Sequence, residues 1–488
     1  MAGTAYSIDG RTFSSEAPLS AALPIGAYLR ITVDDDRVFL GQLLEESVVR
    51  LPAGGRPEAE TGGHVSGRGN LLAKLDSSNR SSRLDGSEVF TAGSLEAADA
   101  DLVSAHFSSG LGSSAGLEIG DIQRMPGVPA TLQARGFGRH TFLCGQSGSG
   151  KTYTLGIVLE RLLLETDIRI GVIDPNSDYV NLGSLRPQSD TGLGADAYGS
   201  LASRYEAVAP GIHVFGGLES PNPLRAWFGR LTFQQQTMVL GLDPFANAEE
   251  YNAFVRVVER LRGNDYGIDD VLNEIRASFE DDLRRLGLRI ANLGVADLSI
   301  WTKVDEPAIR DVLPDDWRMA VLDIGSLPSN KEGSIAAAAM LGTLWEQRHT
   351  RQPMVIVIDE AHNVCPQTPI DANQALATEH VVRIAGEGRK YGLYLLLATQ
   401  RPEKVHRNVM SQCDNLILMK MNSAADIRTL SETFSYAPAG LVQQATGFGL
   451  GEGLAAGKIA PDPLLFKSGL RYTEEGGSDV PSTWADRG

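Results

Sequence analysis

The stretch GQSGSGKT at 145–152 constrains this chain more than any other eight residues in it. It follows the short apolar run TFLC at 141–144 and precedes a helix-like segment at 153–164. The spacing G-x-x-x-x-G-K-[ST] is met by Gly145, Gly150, Lys151 and Thr152. Glycines in such a loop let successive backbone N–H groups turn inward as an anion nest, and the helix that follows adds its positive N-terminal end. Lys151 is then placed to reach the β- and γ-phosphates of a nucleotide, and Thr152 to offer a hydroxyl to Mg²⁺. The candidate contacts to the bound nucleotide are Gly145, Gln146, Ser147, Gly148, Ser149, Gly150, Lys151, Thr152 and Tyr153, with ATP and Mg²⁺ as the expected cofactors.

A second motif completes the chemistry. In MVIVIDEAHNVCP (354–366) an apolar strand ends at Asp359 and Glu360. Asp359 is suited to hold magnesium through its water shell, and Glu360 to polarise an attacking water. An adjacent Asp-Glu pair marks an additional-strand, RecA-type ATPase, in which a further strand separates the two motifs in space. The next apolar strand, in YGLYLLLATQRP (391–402), ends at Thr399 and Gln400, and Gln400 is the candidate sensor of the γ-phosphate. Just before that strand, VVRIAGEGRKYGL supplies Arg383, Arg389 and Lys390. A guanidinium stabilises the charge spread over phosphoryl oxygens, and ring ATPases take it from a neighbouring subunit. Arg389 is the first choice for that role and Arg383 the second. Asp174 and Asp178, in IDPNSDYVNL, fall on a loop at the same strand edge, where they serve either the metal and water or a turn.

A length of 488 residues predicts two or three domains. HTFLC, IRIGVID, MAVLDIG, MVIVIDE and LYLLLATQ are continuous apolar runs, as in strands buried on both faces of a parallel sheet, and helices at 153–164 and 334–348 alternate with them. A doubly wound α/β core follows. Upstream, 25–51 reads as a hairpin about Asp34, Asp35 and Asp36, while AGGRPEAETGGHVSGRGN (53–70) and SSGLGSSAGLEIGDI (108–122) read as exposed loops. The expected organisation is an N-terminal β-barrel over 1–125, a RecA-like core over 126–222 and 315–470, a helical insertion over 223–314, and a tail over 471–488.

Hydrophobic content of 42% and charged content of 22% are those of a soluble globular protein. No stretch approaches the ~18 apolar residues of a membrane span, and MAGTAYSIDGRTF has no signal-peptide pattern, so the expected location is cytoplasmic, without a membrane partner. The cysteines, Cys144, Cys365 and Cys413, lack metal-ligand spacing and read as reduced, buried thiols. A net charge of −17 argues against a surface coated with phosphate contacts, though a few basic side chains along an inner channel remain compatible with it.

Taken in order, IGAYLRI…VFLGQL, GFGRHTFLCGQSGSGKT, VIDPNSDY, the helical insertion, VIDEAHNVCP, GEGRKYGLYLLLATQRP and GFGLGEGLAAG resemble the HerA family of hexameric DNA translocases, relatives of FtsK and of conjugative ATPases. The resemblance spans nearly the whole chain. It implies a homo-hexamer whose barrels help subunits associate, six RecA-like domains in a ring, an arginine given in trans, and double-stranded DNA in the central channel. It carries ATPase and translocase or helicase roles onto Lys151, Thr152, Asp359, Glu360, Arg389 and Gln400. It also implies an effector partner, a NurA-like nuclease in DNA end processing or a sirtuin-like or nuclease subunit in antiphage defence. Gln146-Ser147 departs from the family, which commonly has Thr beside the glycine. Two other readings compete. One is a hexameric ATPase scaffold that regulates an effector without moving DNA. The other is a conjugation-type ATPase with membrane-anchored partners, which the lack of an anchoring helix disfavours.

Overall fold

The computed structural model describes residues 3–477 apart from 35–36, 50–63, 85, 87, 264, 304–305, 307 and 310–312. The chain forms two compact units, one of Met1–Phe137, Gly145–Thr154 and Asp414–Leu470, the other of Gly138–Cys144, Leu155–Cys413 and Arg471–Gly488.

In the first unit six antiparallel strands close into a barrel, in the order Thr12–Pro18, Gly3–Ser7, Phe90–Ala97, Tyr28–Thr32, Val38–Val49, His64–Leu75 and back to Thr12–Pro18. Alternate side chains point inward, and Phe13, Leu29, Ile31, Phe39, Leu43, Leu71, Phe90 and Leu95 fill the interior. The stretch expected as an exposed loop at 53–70 is a strand from His64 onward, and its earlier part lies outside the described residues, as do Asp35 and Asp36 of the expected hairpin turn. The glycines that suggested a loop have another cause. A Cβ on Gly69 would stand 2.4 Å from Cζ of Phe13 and 2.2 Å from the Gln42 carbonyl oxygen, so the barrel interior needs glycine there.

The same unit carries a second antiparallel sheet of strands Asn415–Met419, Glu452–Gly457, Leu464–Ser468, Gly116–Ile122 and Pro129–Gln133. The expected loop at 108–122 is thus the end of the helix Ala100–Leu111 followed by a strand, with Leu117, Ile119 and Ile122 buried. The alternation L-E-I was there to read, but Gly and Ser outweighed it.

The second unit is built on a parallel sheet in the order Ile212–Phe215, Met319–Asp323, Arg169–Asp174, Met354–Ile358, Leu393–Thr399 and Thr141–Cys144. Five of these strands are the apolar runs named above, and Ile212–Phe215 is an additional edge strand. The helical insertion contributes Phe233–Val239, Ala248–Leu261, Ile268–Arg276 and Asp281–Asn292. Each of the last three turns an apolar stripe inward, as with Leu283, Leu286 and Ile290, while Thr232 and Gln235 form a capping box at the start of the first. The segment expected as a tail is packed into the unit over 471–477. There Glu160, fully buried on the helix Lys151–Glu165, accepts the backbone N–H of Tyr472 (2.9 Å) and Thr473 (2.8 Å) and lies 3.9 Å from the buried Nε of Arg471. Residues 478–488 lie outside the described residues. All three cysteines are buried, and burial pushes the Cys365 thiol up to about 12. Among the described residues no helix is long and apolar enough to cross a membrane.

Candidate functional site

The phosphate loop belongs to the first unit. Gly148 (φ 73°) and Gly150 (φ 90°) adopt left-handed backbone that other residues resist, and between them they curl the chain into the helix that begins at Lys151. Ser149 N–H donates to the Gln146 carbonyl (3.1 Å), and Gln146 N–H to that of Lys420 (2.9 Å). The late Gly-Glu-Gly turn braces the loop from outside: Gly451 N–H donates to the Ser149 carbonyl at 2.9 Å, and a Cβ on Gly150 would meet the Gly451 nitrogen at 3.0 Å. Thr154 and Ser468 hydroxyls share a 2.7 Å hydrogen bond behind it. Lys151 and Ser149 are buried, and the Ser149 hydroxyl has no partner among the described residues. A buried lysine, an unpartnered buried hydroxyl and two left-handed glycines fit a loop made for phosphate oxygens.

The carboxylates lie in the second unit, at the C-terminal tip of the strand Met354–Ile358. Its neighbour Leu393–Thr399 stands between it and Thr141–Cys144, the strand that runs into the phosphate loop, so the additional strand predicted between the two motifs is present. Asp359 and Glu360 are both buried. Glu360 has φ 44°, a left-handed conformation that costs a non-glycine residue roughly 1–3 kcal/mol. The Gln400 amide donates to Glu360 Oε1 at 2.7 Å, so the expected base and the expected sensor are in direct contact.

The arginines separate clearly. Arg383, on the helix Ala372–Glu387, is exposed, pairs with Glu379 at 2.6 Å and lies 5.8 Å from the Trp345 ring centre. Arg389 is exposed in the turn Gly388–Tyr391, just before Leu393–Thr399 begins. Gln400 follows the other end of that seven-residue strand, roughly 20 Å away at the usual rise per residue, beyond the reach of one arginine side chain.

Asp174 organises its loop. Its carboxylate accepts backbone N–H groups of Asn176 (3.2 Å), Asp178 (3.1 Å) and Tyr179 (2.9 Å), the turn-forming role weighed above. Burial pushes its pKa up to about 7, against those donors, which hold it down. Two further residues emerge that sequence reasoning did not single out. The Tyr179 hydroxyl, fully buried, donates to Asp359 Oδ2 at 3.0 Å and links the Asp174 loop to the carboxylate tip. His362 Nδ1 lies 3.0 Å from Thr399 Oγ1 and 3.2 Å from Glu360 Oε2, tying Glu360 to the end of the strand Leu393–Thr399. His362 stood visible in the letters DEAH, whereas nothing in the pattern around Tyr179 marked it. His362→Leu is expected to lower ATP turnover by on the order of 10²-fold through misplacement of Glu360, with nucleotide affinity retained; steady-state phosphate release beside nucleotide titration checks this.

Comparison with known proteins agrees with these features. Residues 117–339 match the family model of the helicase HerA central domain. The chain is 24% identical over 374 residues to the DNA double-strand break repair helicase HerA of Sulfurisphaera tokodaii, covering 72% of this chain and 69% of that one. It is 23% identical over 392 residues to the HerA of Pyrococcus furiosus, with the same coverage. Among solved structures, VirB4 of Thermoanaerobacter pseudethanolicus shares the fold, with a TM-score of 0.51 at 16% identity over 73% of this chain and 97% of that one. The phosphate loop, the Asp-Glu pair beyond an intervening strand and the barrel ahead of them agree with those matches: the chain is a P-loop ATPase similar to the HerA helicases.

Proposed function

We propose that this chain is the ATP-hydrolysing subunit of a closed ring, a homo-hexamer, that translocates on double-stranded DNA in its central channel. The observation that carries the ring is the separation of Arg389 from Glu360 and Gln400 along a single strand. A site that needs an arginine beyond its own reach is complete only with a neighbouring copy, and head-to-tail contacts of that kind close into rings. Relatives named for double-strand break repair support DNA as the track.

In this reading Lys151 and the amides of residues 145–153 bind the phosphates, with Lys151 neutralising charge that develops on them. Thr152 and Asp359 would hold Mg²⁺, which when bound neutralises phosphate oxygens; a hydroxyl and a carboxylate are the hard oxygen donors that ion takes. Glu360 takes the proton of the attacking water. Gln400, hydrogen-bonded to Glu360, orients that carboxylate and couples its position to the sensor strand. Arg389 of one subunit serves the site of the next. Cutting of DNA is assigned to a partner, a nuclease of end processing or an antiphage effector, acting in the cytoplasm.

Linear duplex DNA is expected to raise the ATPase rate saturably, and raising ionic strength to weaken that stimulation, because phosphate contacts release counterions. A rate indifferent to duplex DNA at every salt concentration would remove DNA from the reading.

A further inference from the structure

In the second unit the strands Arg169–Asp174 and Met354–Ile358 run side by side with Ile173 opposite Ile358, and the Asp359 N–H donates to the Ile173 carbonyl at 3.2 Å. The loop after Asp174 therefore begins beside Asp359, and it turns back on itself. Ser177 takes left-handed backbone (φ 61°), and the Asp174 carboxylate gathers the N–H groups of Asn176, Asp178 and Tyr179. The turn brings the fully buried Tyr179 to the neighbouring strand tip, where its hydroxyl lies 3.0 Å from Asp359 Oδ2. A phenol holds its proton at neutral pH, so Tyr179 donates and the carboxylate accepts. The other oxygen, Oδ1, accepts the Glu360 N–H at 2.8 Å. One donor on each oxygen fixes the plane of the carboxylate, and each oxygen keeps a second lone pair for a further donor such as a metal-bound water.

Residues 471–477 hold the same loop. The Asp178 carbonyl accepts from the Gly476 N–H (3.1 Å) and from Arg471 Nη2 (3.3 Å), and the Asn181 amide donates to the Glu475 carbonyl at 3.2 Å. The fit is close: a Cβ on Gly476 would stand 1.9 Å from the Ser177 carbonyl oxygen. Asp178 is thus pinned at both its N–H and its carbonyl, which leaves the next residue, Tyr179, little freedom. A ring that only filled core space would need no hydroxyl, since phenylalanine packs there without burying a polar atom. The hydroxyl of Tyr179 is directed instead at the carboxylate assigned to Mg²⁺.

We propose that Tyr179 is a positioning residue for the metal: its hydroxyl sets the orientation of Asp359 and thereby the affinity of the nucleotide-bound chain for a divalent cation. The inference rests on the reading that Asp359 holds Mg²⁺. A hydrogen bond of this kind to a metal-holding carboxylate typically accounts for about 10- to 100-fold in metal affinity. A change in residues 471–477 is then felt at the metal through Ser177 and Tyr179, although none of those seven residues belongs to the nucleotide motifs.

The test measures Mn²⁺ bound by the full chain with a non-hydrolysable ATP analogue, by electron paramagnetic resonance with the chain in excess over nucleotide. Tyr179→Phe keeps the ring and removes the hydroxyl, and is expected to weaken Mn²⁺ binding by about tenfold or more. The Mg²⁺ concentration for half-maximal ATP turnover should rise in the same proportion, by more than the rate at saturating Mg²⁺ falls. Binding of the analogue without any metal should stay at parent strength, which general damage to the fold would not allow. Asp359→Asn is the control for the reading beneath the proposal. Parent affinity for Mn²⁺ in Tyr179→Phe, with Asp359→Asn weakened, overturns the proposal and leaves Asp359 as the metal residue, whereas parent affinity in Asp359→Asn overturns both. If Tyr179→Phe does not fold, Gly476→Ala decides, because its methyl group displaces Ser177: weaker Mn²⁺ binding supports the proposal and parent affinity overturns it.

Discussion

Glu360→Gln is expected to bind ATP as the parent chain does and to hydrolyse it on the order of 10³-fold more slowly, the range lost with a general base. The substitution is nearly isosteric. The new side chain keeps a carbonyl oxygen able to accept from Gln400, whose amide lies 2.7 Å from Glu360 Oε1, so the loss reports proton acceptance rather than a collapsed tip. Lys151→Ala should behave differently. It removes a buried cation from the phosphate loop, where it acts on the ground state as well as the transition state, so nucleotide affinity and turnover fall together. Binding of a fluorescent ATP analogue beside phosphate release separates the two variants. Near-normal turnover by Glu360→Gln would take the role of base away from this residue.

Arg389→Ala should cost on the order of 10³-fold in turnover, the scale of a transferred arginine, while assembly and nucleotide affinity stay close to the parent. Its position supports action on another subunit, because the strand Leu393–Thr399 separates it from its own Gln400. Mixing Arg389→Ala with Glu360→Gln protein makes this quantitative. In a mixed ring some interfaces join an intact Glu360 to an intact Arg389 from the neighbour, so two nearly inactive proteins regain part of the activity. If the arginine acted within its own chain every subunit would carry one lesion and no mixture could recover. Mixtures that exchange subunits yet show no recovery would move the role away from Arg389. Arg383, already paired with Glu379, is the next candidate.

The parallel core was legible because its strands are buried on both faces and therefore read as unbroken apolar runs, of which Met354–Ile358 is one. The nucleotide motifs were legible because a phosphate nest fixes glycine and lysine at set spacing. What escaped was set by three-dimensional packing. Gly69 looks like loop punctuation until Phe13 is seen against it, and the short edge strand Ile212–Phe215 has too few residues to show a period. Glu160 and Arg471 meet only because the chain returns after more than three hundred residues. Tyr179 reaches Asp359 through a loop whose shape comes from Asp174, so its part depended on hydrogen bonds that no linear pattern encodes. The sequence ranked Arg389 ahead of Arg383 without showing what either one touches. In the structure Arg383 lies on the helix Ala372–Glu387 and pairs there with Glu379, and Arg389 lies in the turn just before the strand Leu393–Thr399.

Movement along duplex DNA is tested most directly by displacement of a radiolabelled third strand from a triplex placed at one end of a linear duplex. With ATP the parent protein is expected to release the third strand, and the same protein with a non-hydrolysable analogue, or the Glu360→Gln variant with ATP, to leave it bound. Retention of the triplex by parent protein that hydrolyses ATP on the same duplex would contradict translocation and leave a DNA-responsive ATPase scaffold in its place.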